Sequence, residues 1–182
     1  MTSPPLPALV PCYWVVPGRL LAGEYPAHLE LPHAAARLDA LLGAGINTFC
    51  DLTAPGELTS YLPLLEERGR RLGVHVAYQV FPMQDRSIPD RVVMRSLLDA
   101  LDTAISAGRN VYLHCWGGVG RTGMAVGCYL VRHGHTGREA LDQIAAWWQT
   151  DPRRFDHPQS PETAEQARFV LDWPEATQAG GP

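Results

Sequence analysis

The most informative stretch of this 182-residue chain is Val111-Tyr112-Leu113-His114-Cys115-Trp116-Gly117-Gly118-Val119-Gly120-Arg121-Thr122-Gly123. Its apolar start, residues 111–113, predicts a buried strand, and the periodic pattern from Arg121 predicts a helix that runs to His133. Four glycines lie among the eight residues after Cys115, so a tight loop joins the strand to the helix. The pattern therefore places a cysteine at the end of a buried strand and an arginine at the start of the following helix.

The loop between Cys115 and Arg121 has the chemistry of an anion-binding site. Five residues separate the two side chains, which suits a backbone loop wrapped around one tetrahedral anion. The Arg121 guanidinium offers two donors to the anion, and the positive end of the helix dipole favours the thiolate form of Cys115. A thiolate beneath a bound phosphate is a nucleophile aimed at phosphorus. The N–H groups expected to converge on the anion belong to Trp116, Gly117, Gly118, Val119 and Gly120.

The arrangement His114-Cys115, five residues, then Arg121-Thr122-Gly123 resembles the signature of the cysteine-dependent protein tyrosine phosphatase superfamily. The likeness is greatest to its compact, dual-specificity-like bacterial branch, and it covers most of residues 13–173. It implies an α/β fold with a central mixed, mainly parallel sheet of about five strands flanked by helices. We expect a single phosphatase domain over residues 1–182, with 1–11 as a loose leader and 174–182 as a frayed tail.

The resemblance also implies roles for the residues that match the signature. Cys115 is expected to attack phosphorus and form a cysteinyl-phosphate, and Arg121 to bind the phosphate. Thr122 is expected to donate its hydroxyl to the Cys115 sulfur, and His114 to hold the loop by hydrogen bonds. The reaction implied is two-step hydrolysis of a phosphomonoester without a metal or any other cofactor.

A general acid is expected in residues 81–90, which resemble the mobile acid loop of the superfamily. Asp85 occupies the acid's position, where it would protonate the leaving oxygen and then act as a base toward water. Asp90 is the competing carboxylate, but it follows Pro89 and opens an apolar periodic run, so we interpret it as a helix N-cap. A purely turn-forming role for Asp85 is the alternative.

For four assignments near the predicted site, a local interpretation is favoured. Some members of the superfamily place a glutamine near the attacking water, and Gln166 is the candidate here, although an exposed helical glutamine is favoured. A plain surface loop is favoured for residues 53–58, which follow a predicted strand and in the family lie beside the active site. Glu24 is interpreted as a solvated or locally hydrogen-bonded residue, and Ser160 as the N-cap of the last helix.

Two nucleotide-binding patterns overlap the loop, and both are rejected. Gly118 to Gly123 satisfies G-x-G-x-x-G, but the acidic residues about 20 positions on, Glu139 and Asp142, do not lie at a strand end. They fall in a predicted helix, which the capping box Thr136-x-x-Glu139 opens. A Walker A loop requires a lysine before Ser or Thr, and Arg121 stands there instead. A buried, inert cysteine is the remaining alternative for Cys115.

Composition limits the class of protein. The net charge is −4, with 46% apolar and 19% charged residues, as in soluble globular domains, and no basic surface for nucleic acid or anionic membranes is indicated. There is no signal-peptide pattern and no apolar run of the 18 or so residues that a membrane span needs. The widely spaced cysteines fit a reducing cytoplasm, and no disulfide or zinc pattern is present. They are Cys12, Cys50, Cys115 and Cys128.

The predicted activity is that of a protein tyrosine or dual-specificity phosphatase, acting on a phosphorylated protein. The loop from 116 to 120 carries no lysine, which favours a substrate with one phosphate over a phosphoinositide. A small-molecule phosphatase acting on nucleotide, sugar or inositol phosphates is the open alternative. A phosphate-binding pseudophosphatase is less favoured because Cys115, Arg121 and Asp85 are all present. No sequence feature indicates an oligomeric state.

Overall fold

A five-stranded sheet forms the centre of the computed structural model, which describes residues 4–27 and 30–174. The strands lie in the order β1-β2-β5-β3-β4, and every neighbouring pair is parallel except β1 with β2. The predicted mixed, mainly parallel sheet is therefore confirmed. The strands are β1 (Cys12–Val16), β2 (Leu20–Gly23), β3 (Thr48–Asp51), β4 (Ala77–Val80) and β5 (Val111–His114).

Strand β5 occupies the middle of the sheet, and all four of its residues are buried. None of its side chains faces solvent, because helices cover both faces of the sheet, as is usual for parallel strands. Gly23 of β2 and Asp51 of β3 both pair with His114 at the end of β5. The carboxyl ends of three parallel strands therefore meet beside Cys115, at the edge where open α/β sheets bind ligands.

Helices α1 and α2 pack on one face of the sheet, and α3, α4, α5 and α6 pack on the other. Helix α4 is buried at every residue except Arg132, because it lies between the sheet and the three other helices of its layer. In the described ranges none of the helices combines the length and the apolar character of a membrane span. The bounds are α1 (Leu31–Gly43), α2 (Leu62–Leu72), α3 (Arg91–Ser106), α4 (Gly120–Arg132), α5 (Gly137–Trp148) and α6 (Ala164–Leu171).

Two predicted helix starts are confirmed by their capping bonds. Asp90 is the N-cap of α3, and its carboxylate accepts from the Val92 N–H at 2.8 Å. Thr136 and Glu139 form a reciprocal capping box at the start of α5. In both cases the bond joins groups two or three residues apart, so the local sequence is enough to predict it.

The predicted start of the last helix is wrong. Helix α6 begins at Ala164, and Thr163 is its N-cap, accepting from the backbone N–H of Gln166. Pro161 lies ahead of this helix, and the Ser160–Pro161 peptide bond is cis. The Ser160 hydroxyl instead donates to the carbonyl of Val119 at 2.8 Å, in the loop before α4.

The expected loose leader is also wrong for residues 4–11. The side chain of Val10 is buried in the core, and the Trp14 indole N–H donates to the carbonyl of Pro4 at 3.0 Å. The Glu24 N–H donates to the carbonyl of Pro11 at 3.3 Å, so this segment packs against the end of β2. Residues 1–3, and residues 175–182 of the expected frayed tail, lie outside the described residues.

Close packing of α4 against α6 gives a test of the fold. A methyl group added at Gly127 would lie 2.6 and 2.7 Å from the two methyl carbons of Val170. We expect Gly127→Ala to lower the free energy of unfolding in urea by about 1–3 kcal/mol. Gly43→Ala in α1 is the matched control, because the added methyl would meet nothing within 4 Å and alanine is favoured in helices. Equal stability of the two variants would contradict the packing.

Candidate active site

A cavity of about 500 Å³ opens beside the carboxyl end of β5. The predicted acid loop and the predicted phosphate loop meet there, although they follow different strands. The Cys115 side chain lies in the cavity wall and is nearly buried, at 3% exposure. The predicted site residues among those lining the cavity are Asp85, Cys115, Trp116, Gly117, Val119 and Gly120.

The backbone of the loop has the conformation of an anion-binding nest. Gly118 is left-handed, with φ +67°, and Val119 after it is right-handed. Such an alternation turns successive N–H groups toward the same side. Gly118 is required for a second reason, because a Cβ atom there would lie 2.4 Å from the carbonyl carbon of Gly23. The end of β2 thus packs directly on the loop.

Arg121 is buried beside this loop, with its side chain 1% exposed. Its two terminal nitrogens donate to the two carboxylate oxygens of Glu57, at 2.7 and 2.6 Å. The third nitrogen, Nε, is buried and has no hydrogen-bond partner. An unsatisfied buried donor is costly, and a phosphate oxygen in the loop is the kind of acceptor that would satisfy it.

Glu57 belongs to residues 53–58, for which a plain surface loop was the favoured prediction. That prediction is wrong, because the loop supplies the carboxylate that pairs with Arg121. The hydrogen bonds from Arg121 lower the pKa of Glu57, so its side chain stays ionised. The two residues are 64 positions apart, and no spacing rule connects them. The available signal was indirect: a buried arginine requires a carboxylate partner.

The acid loop reaches the same guanidinium. A carboxylate oxygen of Asp85 lies 3.0 Å from Nη2 of Arg121. The carbonyl oxygen of Met83 accepts a hydrogen bond from Nη1 of Arg121 at 3.1 Å. The Asp85 side chain is half exposed at the cavity. Asp90, the competing carboxylate, caps α3 and does not line the cavity. Of the two carboxylates, only Asp85 is therefore in a position to meet a phosphate ester bound in the loop.

Gln166 is fully buried, so the favoured prediction of an exposed helical residue is wrong. Its amide N–H donates to the carbonyl of Ser87 in the acid loop at 3.3 Å. A Cβ atom at Gly120 would lie 2.8 Å from its amide oxygen, so the side chain also packs against the phosphate loop. Gln166 thus contacts both loops that form the cavity.

His114 lies at the base of the phosphate loop and is completely buried. Its Nδ1 is 3.1 Å from the carbonyl oxygen of Cys115, and because a carbonyl only accepts, Nδ1 carries the proton. Its Nε2 therefore accepts from the Tyr61 hydroxyl, at 2.7 Å. Burial lowers the pKa of His114 and raises that of Tyr61, so both groups are neutral and this direction of donation holds.

Two expected local contacts differ from the structure. Thr122 is fully buried in the first turn of α4, and its hydroxyl has no hydrogen-bond partner, so the expected bond to the Cys115 sulfur is not formed. Glu24 is not a solvated or locally bonded residue, since it pairs with Arg37 of α1 at the cavity wall. The partner of Glu24 lies on another element, so the neighbouring sequence does not reveal it.

The remaining cysteines are ordinary buried thiols. Burial raises the pKa of Cys12 and of Cys50 to about 12, and it also raises the pKa of Cys128. All three therefore stay protonated near neutral pH and are poor nucleophiles. In the described part of the chain, no three His, Cys, Asp or Glu side chains come together as a set of metal ligands.

Three carbonyl oxygens of the phosphate loop accept hydrogen bonds from distant parts of the chain. None of the three donors is predicted from the sequence, because nothing in their local sequence marks them. Each bond fixes the direction of one peptide group in the loop. The bonds are Tyr25 N–H to Trp116 O at 2.7 Å, Arg153 Nη1 to Gly117 O at 2.7 Å, and Ser160 Oγ to Val119 O at 2.8 Å.

Comparison with known proteins reveals a family profile that covers most of this chain. The profile of the PTP-SAK family, a "Swiss Army Knife protein, DSP-PTPase phosphatase domain", matches residues 10–170. "Protein tyrosine phosphatase domain-containing protein 1" of Mus musculus is 28% identical over 125 residues, which are 65% of this chain and 16% of that protein.

A second relative, from Arabidopsis thaliana, is the "Phosphatidylinositol 3,4,5-trisphosphate 3-phosphatase and protein-tyrosine-phosphatase PTEN1". It is 25% identical over 130 residues, which are 70% of this chain and 30% of that protein. The chain thus spans less than a third of either curated relative. The crystal structure of Tk-PTP in the active form shares the fold, with a TM-score of 0.67 and 24% identity, over 88% of this chain and 93% of that one.

The buried histidine predicts a pH dependence of stability. The folded pKa of His114 lies below its unfolded value of about 6.5, so the unfolded chain binds more protons between those two values. The stability from neutral His114 is therefore complete above about pH 6.5 and is lost as the pH falls below it. We expect the wild type to lose about 1 kcal/mol more than His114→Asn between pH 7.5 and 5.5, in urea unfolding. Equal losses in the two proteins would contradict this.

Proposed function

The chain belongs to the PTP-SAK family of DSP-PTPase phosphatase domains, which are cysteine-dependent phosphatases, and we propose that it hydrolyses phosphomonoesters through a cysteinyl-phosphate without a metal. One observation carries the proposal. Buried Arg121 keeps an unpartnered Nε beside a nest-shaped loop whose first residue is Cys115. This arrangement supplies a cation, convergent N–H donors and a thiol nucleophile to one tetrahedral anion.

In the proposed first step, the substrate phosphate binds in the loop and accepts from Arg121 Nε. The Cys115 thiolate attacks phosphorus in line, so the P–S bond forms while the P–O bond to the leaving group breaks. Asp85 gives its proton to the leaving oxygen. The loop and Arg121 are fixed before substrate arrives, so they stabilise the transferring phosphoryl group without rearrangement.

In the proposed second step, water hydrolyses the cysteinyl-phosphate. The Asp85 carboxylate takes a proton from water, the oxygen bonds to phosphorus, and the P–S bond breaks to restore the thiolate. Gln166 has a supporting part, because it contacts Ser87 of the acid loop and packs on Gly120 of the phosphate loop. We assign it the positioning of both loops around the water.

We propose that the substrate carries a single phosphate on an aromatic ring, as phosphotyrosine does. The arginines around the cavity are already neutralised: Arg37 pairs with Glu24, and Arg86 lies 3.5 Å from Glu162. Further phosphates would find no unpaired arginine among the described residues that line the cavity. Trp116 supports the aromatic part of the proposal, because this residue lines the cavity, is 61% exposed and offers a flat apolar ring.

Replacement of the nucleophile tests the proposed reaction. We expect the wild type to release phosphate from para-nitrophenyl phosphate in the presence of EDTA, and Cys115→Ser to lose about 10³-fold or more of kcat. Cys12→Ser is the control, because this thiol lies on β1, outside the cavity around Cys115. A phosphotyrosine peptide should be turned over at least about tenfold faster than an inositol polyphosphate. Activity retained in Cys115→Ser, or a preference for the polyphosphate, would contradict the proposal.

The two aspartates of residues 81–90 can be separated by their dependence on the leaving group. Asp85→Asn should lower kcat/KM for phenyl phosphate by about 10²-fold or more, yet change kcat/KM for para-nitrophenyl phosphate far less, because kcat/KM reports only the step that forms the cysteinyl-phosphate and nitrophenolate leaves without a proton. Asp90→Asn is the matched control, expected to cost at most about 1 kcal/mol of stability with no such difference between substrates. The same leaving-group dependence in both variants would overturn the assignment of Asp85 as the acid.

A further inference from the structure

The phosphate loop works only if its peptide N–H groups point at the anion. In a planar trans peptide, the carbonyl oxygen of one residue and the N–H of the next point in opposite directions. A donor that holds a loop carbonyl on the outside therefore turns the following N–H inward. For the peptide between Gly117 and Gly118, that donor is Arg153, whose Nη1 lies 2.7 Å from the Gly117 oxygen.

We propose that Arg153, fixed by Asp151, is a positioning residue that directs the Gly118 N–H toward the bound phosphate. The inference rests on the proposed function, because it assigns a part of the anion-binding geometry on which that function depends. It gives a role to Asp151 and Arg153, which no motif in the sequence marks.

Arg153 is held on several sides, as a positioning residue must be. Its side chain is 10% exposed, and its Nε donates to a carboxylate oxygen of Asp151 at 2.8 Å. The second carboxylate oxygen of Asp151 accepts from Nη2, and the guanidinium carbon lies 5.0 Å from the centroid of the Trp148 ring. The Asp151 side chain, itself 2% exposed, also accepts from the Arg153 backbone N–H at 2.9 Å. One nitrogen, Nη1, is left for the loop.

The peptide that Arg153 holds is the one with the least conformational restraint of its own. It lies between two glycines, so no side chain opposes its rotation. If it turned over, the Gly117 oxygen would face the phosphate and the Gly118 N–H would be lost to it. Arg153 also occupies the space beside Gly118, since a Cβ atom there would lie 2.1 Å from Nη1. The arginine is therefore the restraint that replaces the missing side chains.

The ion pair with Asp151 distinguishes this role from that of a second phosphate site. The Arg153 charge is already neutralised by a buried carboxylate, and its free donor is used by the loop carbonyl. Arg154, the next residue, makes a useful contrast. It lies on the same short 3₁₀ helix (Pro152–Phe155) and also bonds to Asp151, through the backbone oxygen at 3.1 Å, but its guanidinium lies over the Phe155 ring.

The test is the inhibition constant of orthophosphate, measured with para-nitrophenyl phosphate as substrate. For Arg153→Met we expect this constant to rise about tenfold and kcat/KM to fall about 10- to 100-fold, because the same N–H contacts the product and the transition state. The inhibition constant of Arg153→Lys should lie between those of the wild type and Arg153→Met. A lysine ammonium can donate to the Gly117 oxygen, but it cannot form the two parallel hydrogen bonds that Arg153 makes to the Asp151 carboxylate. Arg154→Met is the matched control and should stay within about twofold of the wild type.

An inhibition constant does not depend on the fraction of active enzyme, so a purely structural role would lower kcat and leave this constant unchanged. An unchanged constant in Arg153→Met would overturn the inference while leaving the proposed function intact. If Arg153→Met fails to fold, Arg153→Lys decides by the same measurement. A wild type that neither hydrolyses the substrate nor binds orthophosphate would overturn the proposed function, and this inference with it.

Discussion

The buried positive charge of Arg121 is the constraint on which the arrangement of the site depends. A guanidinium at 1% exposure is stable only when it is paired and hydrogen-bonded, and Glu57 and the Met83 carbonyl meet that requirement. These partners, with Asp85, occupy only the terminal nitrogens. Nε is left without a partner, so in the proposed reaction it is the donor that remains for the substrate phosphate. One cation thereby joins the loops that follow β3, β4 and β5.

Sheet topology explains why these loops meet. Strands β2, β5, β3 and β4 are parallel neighbours, so the segments that leave their carboxyl ends emerge at one edge. Each brings one element of the site: the backbone N–H of Tyr25, the phosphate loop, Glu57 and Asp85. Residues 151–166, which lie between α5 and α6 and in the first turn of α6, also reach this edge of the sheet. There the Ser160 hydroxyl donates to the carbonyl oxygen of Val119. The site is therefore a product of strand order rather than of any single motif.

Three of the predictions that failed share one property. Glu57, Ser160 and Gln166 were interpreted from their neighbours in sequence as a loop residue, a helix cap and an exposed helical residue. In the structure, Glu57 and Ser160 contact residues 64 and 41 positions away, and Gln166 contacts Ser87 at a separation of 79. The caps of α3 and α5 were predicted correctly because their bonds span two or three residues. Local rules succeed where the interaction itself is local.

Sequence alone specifies the strand–loop–helix unit around Cys115, because apolar periodicity and glycine spacing are local properties, and the mainly parallel sheet follows from the family that this unit resembles. It also names Cys115, Arg121 and Asp85 as the candidates for the chemistry. Only the tertiary structure decides what holds those groups in place: the carboxylate that neutralises Arg121 and the donors that hold the loop carbonyls outward. The reason is physical, since a buried charge or a buried carbonyl must find a partner, yet that requirement does not determine where in the chain the partner lies.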